Sequence, residues 1–248
     1  MNIEKFIQVY DCLLYTHLSG NKSSKPTLVM EAGYGNDSHA WDSVINELST
    51  LTEVFVYDRA GLGQSEKTTR FRTSREMTEE LKELVKKVKI KTPFILVGHS
   101  FGGVIARLYA TMYPDDVCGM VLVDSTPENY RERFLPTMNE TFQQAYEKQF
   151  IYESNAEEFT ESLNKVKKSR KMLDIPLVVL SAGKKAHYSS QSQELWHEMQ
   201  REMLTISTKP KMIIAKNSSH YIQDDEPGLI IKSVQYLLDN DKPSVKVD

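Results

Sequence analysis

What most constrains the fold of this chain is a rhythm: from Pro26 onward, short apolar runs alternate with helical patterns. The runs are Thr27 to Met30, Val54 to Tyr57, Phe94 to Val97, Met120 to Val123, Leu177 to Leu180 and Lys211 to Ala215. Short runs rich in Val, Ile and Leu, with little polar alternation, are what parallel strands buried on both faces require. Helix candidates lie between them around Trp41 to Leu48, Ser74 to Val88, Gly103 to Tyr113, Ser190 to Leu204 and Gly228 to Leu238. Strand and helix in alternation predict an α/β fold, a mostly parallel sheet flanked by helices on both sides. Ahead of it, Phe6 to Val9 and Leu13 to His17 read as a β-hairpin, which brings the expected sheet to about eight strands.

One interval breaks the rhythm. From Thr126 to Asp174 no central strand is legible, and the stretch is charged and aromatic with helix-compatible pieces such as Met138 to Tyr146. An unstructured connection of that length is unusual inside a compact domain, so a helical lid inserted over the sheet edge is expected. The expected organisation is a core of residues 1–125 and 175–240, a lid of residues 126–174 and a frayed tail of residues 241–248. The aromatic residues Phe134, Phe142, Tyr146, Phe150 and Tyr152, with Met138, could form the lid's own small core or line a pocket.

Bulk properties exclude several functions. The 248 residues suit one large domain. Thirty-one Lys plus Arg against 34 Asp plus Glu leave a net charge of -3. Nothing there attracts phosphates or anionic lipid, so no nucleic-acid partner is expected. Around the basic stretch Lys82 to Lys91, residues Leu81, Leu84, Val85 and Val88 share one helical face, which makes the lysines a solvated outer surface. The two cysteines, Cys12 and Cys118, lie in apolar strand-like segments and read as buried thiols, with no disulfide framework and no metal site expected. The first twenty residues carry no uninterrupted signal-peptide core. No segment reaches the roughly 18 apolar residues of a membrane span, so a cytoplasmic protein without stable membrane insertion is expected.

The most informative segment is Phe94 to Gly103, where Gly98-His99-Ser100-Phe101-Gly102 stands between an apolar strand and a helix. In that setting G-x-S-x-G makes a turn so tight that the serine backbone is strained, and the flanking glycines avoid collisions. Its hydroxyl then stands at the carboxyl edge of the sheet, where open α/β sheets bind ligands. Ser100 is therefore the candidate nucleophile.

With this elbow the chain resembles the α/β-hydrolase superfamily from about Thr27 to Leu238. The resemblance is carried by Glu31-Ala32-Gly33-Tyr34-Gly35 with Trp41 downstream, by Tyr57-Asp58-Arg59-Ala60-Gly61-Leu62-Gly63-Gln64-Ser65, by the Gly98 to Gly103 elbow, by Val121-Leu122-Val123-Asp124 and by Ser219-His220. It implies the α/β-hydrolase fold, with the Thr126 to Asp174 interval at the family's lid position. It also implies that the loop after the last strand supplies the catalytic histidine. Of the six histidines, His220 occupies that loop. His99 should point away from the Ser100 hydroxyl, while His39 and His187 could line the entrance.

The acid departs from the family's commonest pattern. The turn after Leu177 to Leu180 reads Ser181-Ala182-Gly183-Lys184-Lys185-Ala186-His187 and contains no carboxylate. Asp124, ending the preceding strand, is the substitute some members use. Asp224, Asp225 and an acid from the lid remain alternatives. Backbone amides of Tyr34 and Phe101 are the expected oxyanion donors, and Asp58 is expected to hold its own turn. The resemblance thus implies an esterase-like serine hydrolase acting on a small-molecule acyl substrate without a cofactor. Peptidase, lactonase and acyltransferase chemistry would use the same triad, and a binding protein that has lost turnover is the rival from another class.

Overall fold

The computed structural model describes residues 2–240; the expected frayed tail, 241–248, lies outside the described residues. One sheet of eight strands runs in the order β1-β2-β4-β3-β5-β6-β7-β8. Its members are β1 (Asn2–Val9), β2 (Cys12–Ser19), β3 (Leu28–Glu31), β4 (Val54–Tyr57), β5 (Phe94–His99), β6 (Val117–Val123), β7 (Leu173–Ala182) and β8 (Ser207–Ala215). The β1-β2 hairpin is antiparallel and joins β4 antiparallel; every pairing from β4 to β8 is parallel.

The continuous apolar runs are explained by burial on two sides. In β5, Phe94 and Leu96 enter one core, while Ile95 and Val97 enter the other. β6 and β7 divide their residues in the same way, Leu122 and Val179 to the first core and Val121 and Val178 to the second. Helices α1 (Asp42–Leu51) and α8 (Pro227–Asn240) close the second core with Val44, Leu48, Val234 and Leu237. On the first side lie α2 (Ser74–Val88) and α3 (Gly102–Met112), which contribute Leu81, Leu84, Ala106 and Tyr109. The buried stripe of α2 turns its lysines outward, as its periodicity predicts.

Several strands exceed their sequence reading, β1 and β6 among them, and for β7 and β8 the reason is visible. β7 starts at Leu173, so the last two residues of the interval that lacks a legible strand belong to the sheet. Exposed Asp174 and the register shift between Leu173 and Pro176 conceal its start. β8 starts at Ser207 because an edge strand tolerates exposed Lys209 and Lys211 in place of an apolar run.

Between β6 and β7 the chain forms a π-helical turn at Tyr130–Phe134, a 3-10 turn at Leu135–Thr137, α4 (Glu140–Lys148) and α5 (Ala156–Ser169). Asn155 starts α5 with a full capping box to Glu158. Phe134, Met138, Phe150 and Phe159 are buried in an aromatic cluster that also takes in Phe101 and Trp196. The segment's aromatics do not form a core of their own: Phe134 and Phe150 are buried in this shared cluster, Phe142 and Tyr146 line a cavity, and Tyr152 is exposed. Cys12 is buried as expected, whereas Cys118 is only half-buried.

Candidate active site

Ser100 sits on the tight turn between β5 and α3 with φ of 52°, in the left-handed region that non-glycine residues rarely occupy. The turn is possible because its neighbours are glycines. A Cβ on Gly98 would come within 2.7 Å of the Gly102 carbonyl oxygen, and one on Gly102 would strike the Glu31 carbonyl of β3. Three backbone bonds hold the strained residue: Ser100 N–H donates to the Val123 carbonyl at 3.0 Å, and its own carbonyl accepts from Thr126 N–H at 3.0 Å and from Gly103 N–H at 3.1 Å. α3 starts at Gly102, two residues after Ser100, so its positive end is next to the elbow.

Asp124 leaves the end of β6 with φ of 43°, its N–H donating to the Leu180 carbonyl of β7. His220 stands on the loop after β8. That loop is pinned by the short helix α7 (Ile222–Asp225) and the residue after it: Asp225 accepts from Ser219 N–H and hydroxyl, and Glu226 accepts from Asn217 N–H and the Ser218 hydroxyl.

These three elements bring their side chains into one line. His220 Nδ1 lies 2.7 Å from Asp124 Oδ2, and Nε2 lies 3.0 Å from Ser100 Oγ. With Nδ1–H donating to the carboxylate, the Nε2 lone pair faces the serine hydroxyl, the tautomer a general base requires.

Asp124 is fully buried and its oxygens are saturated. Oδ1 accepts from Ala182 N–H at 2.9 Å and from the Trp196 indole at 2.7 Å. Oδ2, besides His220, meets the Lys185 ammonium at 2.6 Å. Burial alone would raise its carboxyl, but Lys185 and His220 outweigh burial and hold it well below the usual carboxylate range. The His220 imidazole is pushed below its ordinary value, first by burial and then by the Lys185 charge, against the pull of Asp124. Both burial and Lys185 thus favour the neutral imidazole.

His99 turns away from the Ser100 hydroxyl, as the elbow geometry predicts. Its Nε2–H donates to the His220 carbonyl at 3.0 Å, and burial pushes it down to about 3, so it stays neutral. His187 lines the cavity, whereas His39 pairs with Asp42 on the surface. Asp58 accepts from Ser38 and Gln64 N–H groups, the turn-holding role expected of it. Of the carboxylates open as the acid, Asp124 is the one brought to His220. Asp224 accepts from the Ser43 hydroxyl, Asp225 from Ser219, and Glu153 from Arg59.

The loop carrying Tyr34 is gripped from two sides. Buried Arg59 donates to the carbonyls of Ala32 at 2.8 Å and Gly33 at 2.6 Å, and is itself held by Glu31 and Glu153. Glu153 Oε1 accepts from Gly35 N–H at 2.9 Å, and the Tyr34 hydroxyl donates to the Ser154 carbonyl at 2.6 Å. Tyr34 and Phe101, the two expected oxyanion donors, both border the cavity beside Ser100. That cavity measures about 500 Å³ and is walled by aromatic side chains, among them Tyr130, Phe142, Tyr146 and Phe159.

Sequence reasoning missed Lys185, Trp196 and the Arg59-Glu153 pair. Lys185 stands in the turn noted for lacking an acid, but nothing local says that a lysine reaches back to the neighbouring strand. Trp196, on α6 (Ser190–Glu202), carries an apolar signature that conceals its indole N–H. Among the described residues, no group of three or more His, Cys, Asp or Glu side chains is arranged to hold a metal ion. Nor is any helix there long and apolar enough to cross a membrane.

An elbow serine, a loop histidine and a strand-end carboxylate on a mostly parallel eight-stranded sheet define a class of fold. Residues 26–235 match the family described as alpha/beta hydrolase fold, and the chain belongs to it. Across nearly its whole length it is similar to the uncharacterized protein YqjL of Bacillus subtilis, 35% identical over 92% of this chain and 89% of that one. A shorter match, 30% identical over 49% of this chain and 34% of the other, is to the 1-acylglycerol-3-phosphate O-acyltransferase ABHD5 of Rattus norvegicus. Among solved structures, the carboxylesterase CesB of Bacillus subtilis superposes with a TM-score of 0.69 at 16% identity, covering 96% of this chain and 92% of that one. This last likeness is one of fold.

Proposed function

We propose that the protein is a serine hydrolase that cleaves an ester or a similarly activated acyl compound through an acyl-Ser100 intermediate. The observation that carries this reading is the unbroken hydrogen-bonded line Ser100-His220-Asp124 at the mouth of an aromatic cavity. In the first half-reaction His220 Nε2 takes the Ser100 proton as Oγ attacks the acyl carbon, and then returns it to the departing alkoxide. In the second half-reaction His220 activates water against the acyl-enzyme, while Asp124 keeps the imidazole oriented and stabilises its charged form. Backbone N–H groups of Tyr34 and Phe101 receive the developing oxyanion.

The cavity favours an uncharged, apolar acyl group. Its walls are predominantly aromatic, and the ammonium that lines it, that of Lys185, is engaged by Asp124. The segment of residues 126–172 supplies much of that wall, so it acts as a lid that selects the acyl chain.

Labelling by a fluorophosphonate probe, together with turnover of p-nitrophenyl esters graded by acyl length, tests the reading. Ser100→Ala is expected to keep its circular dichroism spectrum and to lose both labelling and turnover. An intact wild-type protein that neither labels nor turns over would instead support the reading as a binding protein.

A further inference from the structure

We propose that Lys185 is a positioning residue of the triad: it binds the same carboxylate oxygen as His220 and thereby limits how much positive charge the imidazole takes up. This rests on the serine-hydrolase reading above.

The geometry is specific. Lys185 lies in the turn after β7, one strand away from Asp124, and its Nζ reaches Asp124 Oδ2 at 2.6 Å, while His220 Nδ1 occupies the same oxygen at 2.7 Å. The side chain is 8% exposed and its ammonium rests 3.4 Å from the centre of the Trp196 ring, with Tyr188 on a further side. Trp196 also donates its indole N–H to Asp124 Oδ1. One tryptophan therefore holds both the lysine, through its face, and the aspartate, through its edge. A lysine placed only for solubility would extend into water rather than bury an ammonium in an aromatic box.

The consequence follows from charge. A carboxylate facing a histidine alone favours the imidazolium strongly, and a base with that single partner becomes protonated and idle as the pH falls. A second cation on the shared oxygen offsets part of that attraction. The remaining groups facing the ring do not replace it. His99 stays neutral, Ser100 is the proton donor, Tyr221 presents a ring edge, and Asp225 is occupied by Ser219. Lys185 thus keeps His220 neutral further into the acidic range, at the cost of weaker stabilisation of the imidazolium formed during reaction.

Two measurements test this. In a Ser100→Ala background, the imidazole of His220 is titrated by NMR with Lys185 intact and as Lys185→Met, Lys185→Gln and Lys185→Arg. In the active protein, the pH dependence of fluorophosphonate labelling is followed for the same substitutions. Removing the charge is expected to raise the His220 midpoint and the acidic limb of labelling by about one pH unit, a typical effect of losing a like charge within ~4–6 Å. Lys185→Arg should stay near wild type. A lysine that merely props Asp124 gives the opposite sign, because a displaced carboxylate lets the imidazole midpoint fall. If Lys185→Met does not fold, Lys185→Gln carries the test, since it keeps a donor without the charge. An unchanged or lowered midpoint in a folded neutral variant overturns the proposal. Absence of labelling in the wild type would overturn the hydrolase reading, while the titration still decides whether Lys185 controls His220.

Discussion

Asp124 is where the most chemistry rests on a single side chain. One carboxylate accepts a backbone amide, an indole, an ammonium and an imidazole. Replacing it by Asn keeps the volume but presents an amide N–H to either His220 or Lys185, and at His220 that favours the tautomer with Nε2 protonated, which cannot take the Ser100 proton. We expect Asp124→Asn to lower turnover of an activated ester on the order of 10⁴-fold, the loss known for the equivalent change in a serine protease triad. Asp225→Asn only loosens the Ser219 contact and should cost about tenfold or less. Turnover of both variants, with folding checked, decides this; a crippled Asp225→Asn beside a near-normal Asp124→Asn would reassign the acid. Ser100 and His220 were legible in the sequence because each occupies a position defined by its element, an elbow and a last loop. Asp124 was legible more weakly, by the absence of an acid after Leu180, and Lys185 was not legible because its role exists only across two strands.

At the scale of elements, the apolar runs predicted the strands well, since burial on both faces leaves a pattern that local sequence records. What local sequence does not record is how the segment between β6 and β7 grips the β3 loop. Glu153 and Arg59 are 94 residues apart and form a buried pair with side-chain exposures of 0% and 2%. Through Arg59 and Gly35 this pair fixes the backbone on both sides of Tyr34. Breaking a buried pair typically costs about 3–5 kcal/mol, and after loss of Glu153 the buried Arg59 charge keeps only the longer Glu31 contact at 3.3 Å. Glu153→Ala should therefore lower stability by an amount of that order. Because the Tyr34 amide would lose its fixed direction, kcat should fall more than KM rises. Denaturant unfolding and steady-state kinetics on the same preparation measure both; an equal loss of stability with unchanged kcat would mean that the grip serves folding alone.

The molecule as a whole carries buried ionisable groups whose pH responses oppose one another. Burial lowers His99 from its ordinary value of 6.5 to about 3, so its stabilising contribution is complete above 6.5 and is lost as pH falls through about 3. Burial raises Glu31 from 4.5 to about 7, against the pull of Arg59 and Tyr57, so its contribution is complete below 4.5 and is lost as pH rises through about 7. Between 4.5 and 6.5 the Glu31 slope opposes that of His99, to which His220, also pushed below its ordinary value, adds its own, so acidification should cost less stability there than the two histidines alone would dictate. Below that window Glu31 no longer compensates. His99 continues to lose, and Glu128, held down to about 2 mainly by Arg107 against its own burial, begins to lose as well, so the melting temperature should drop steeply. His99→Asn removes one of the two histidines that oppose Glu31, so the mutant should lose less stability than the wild type as pH falls from 7 toward 4.5. Melting temperatures of wild type and His99→Asn across pH 4 to 8 test this, because the model requires the gap between the curves to move in favour of the mutant on acidification, whereas parallel curves would show that His99 is not the group opposing Glu31.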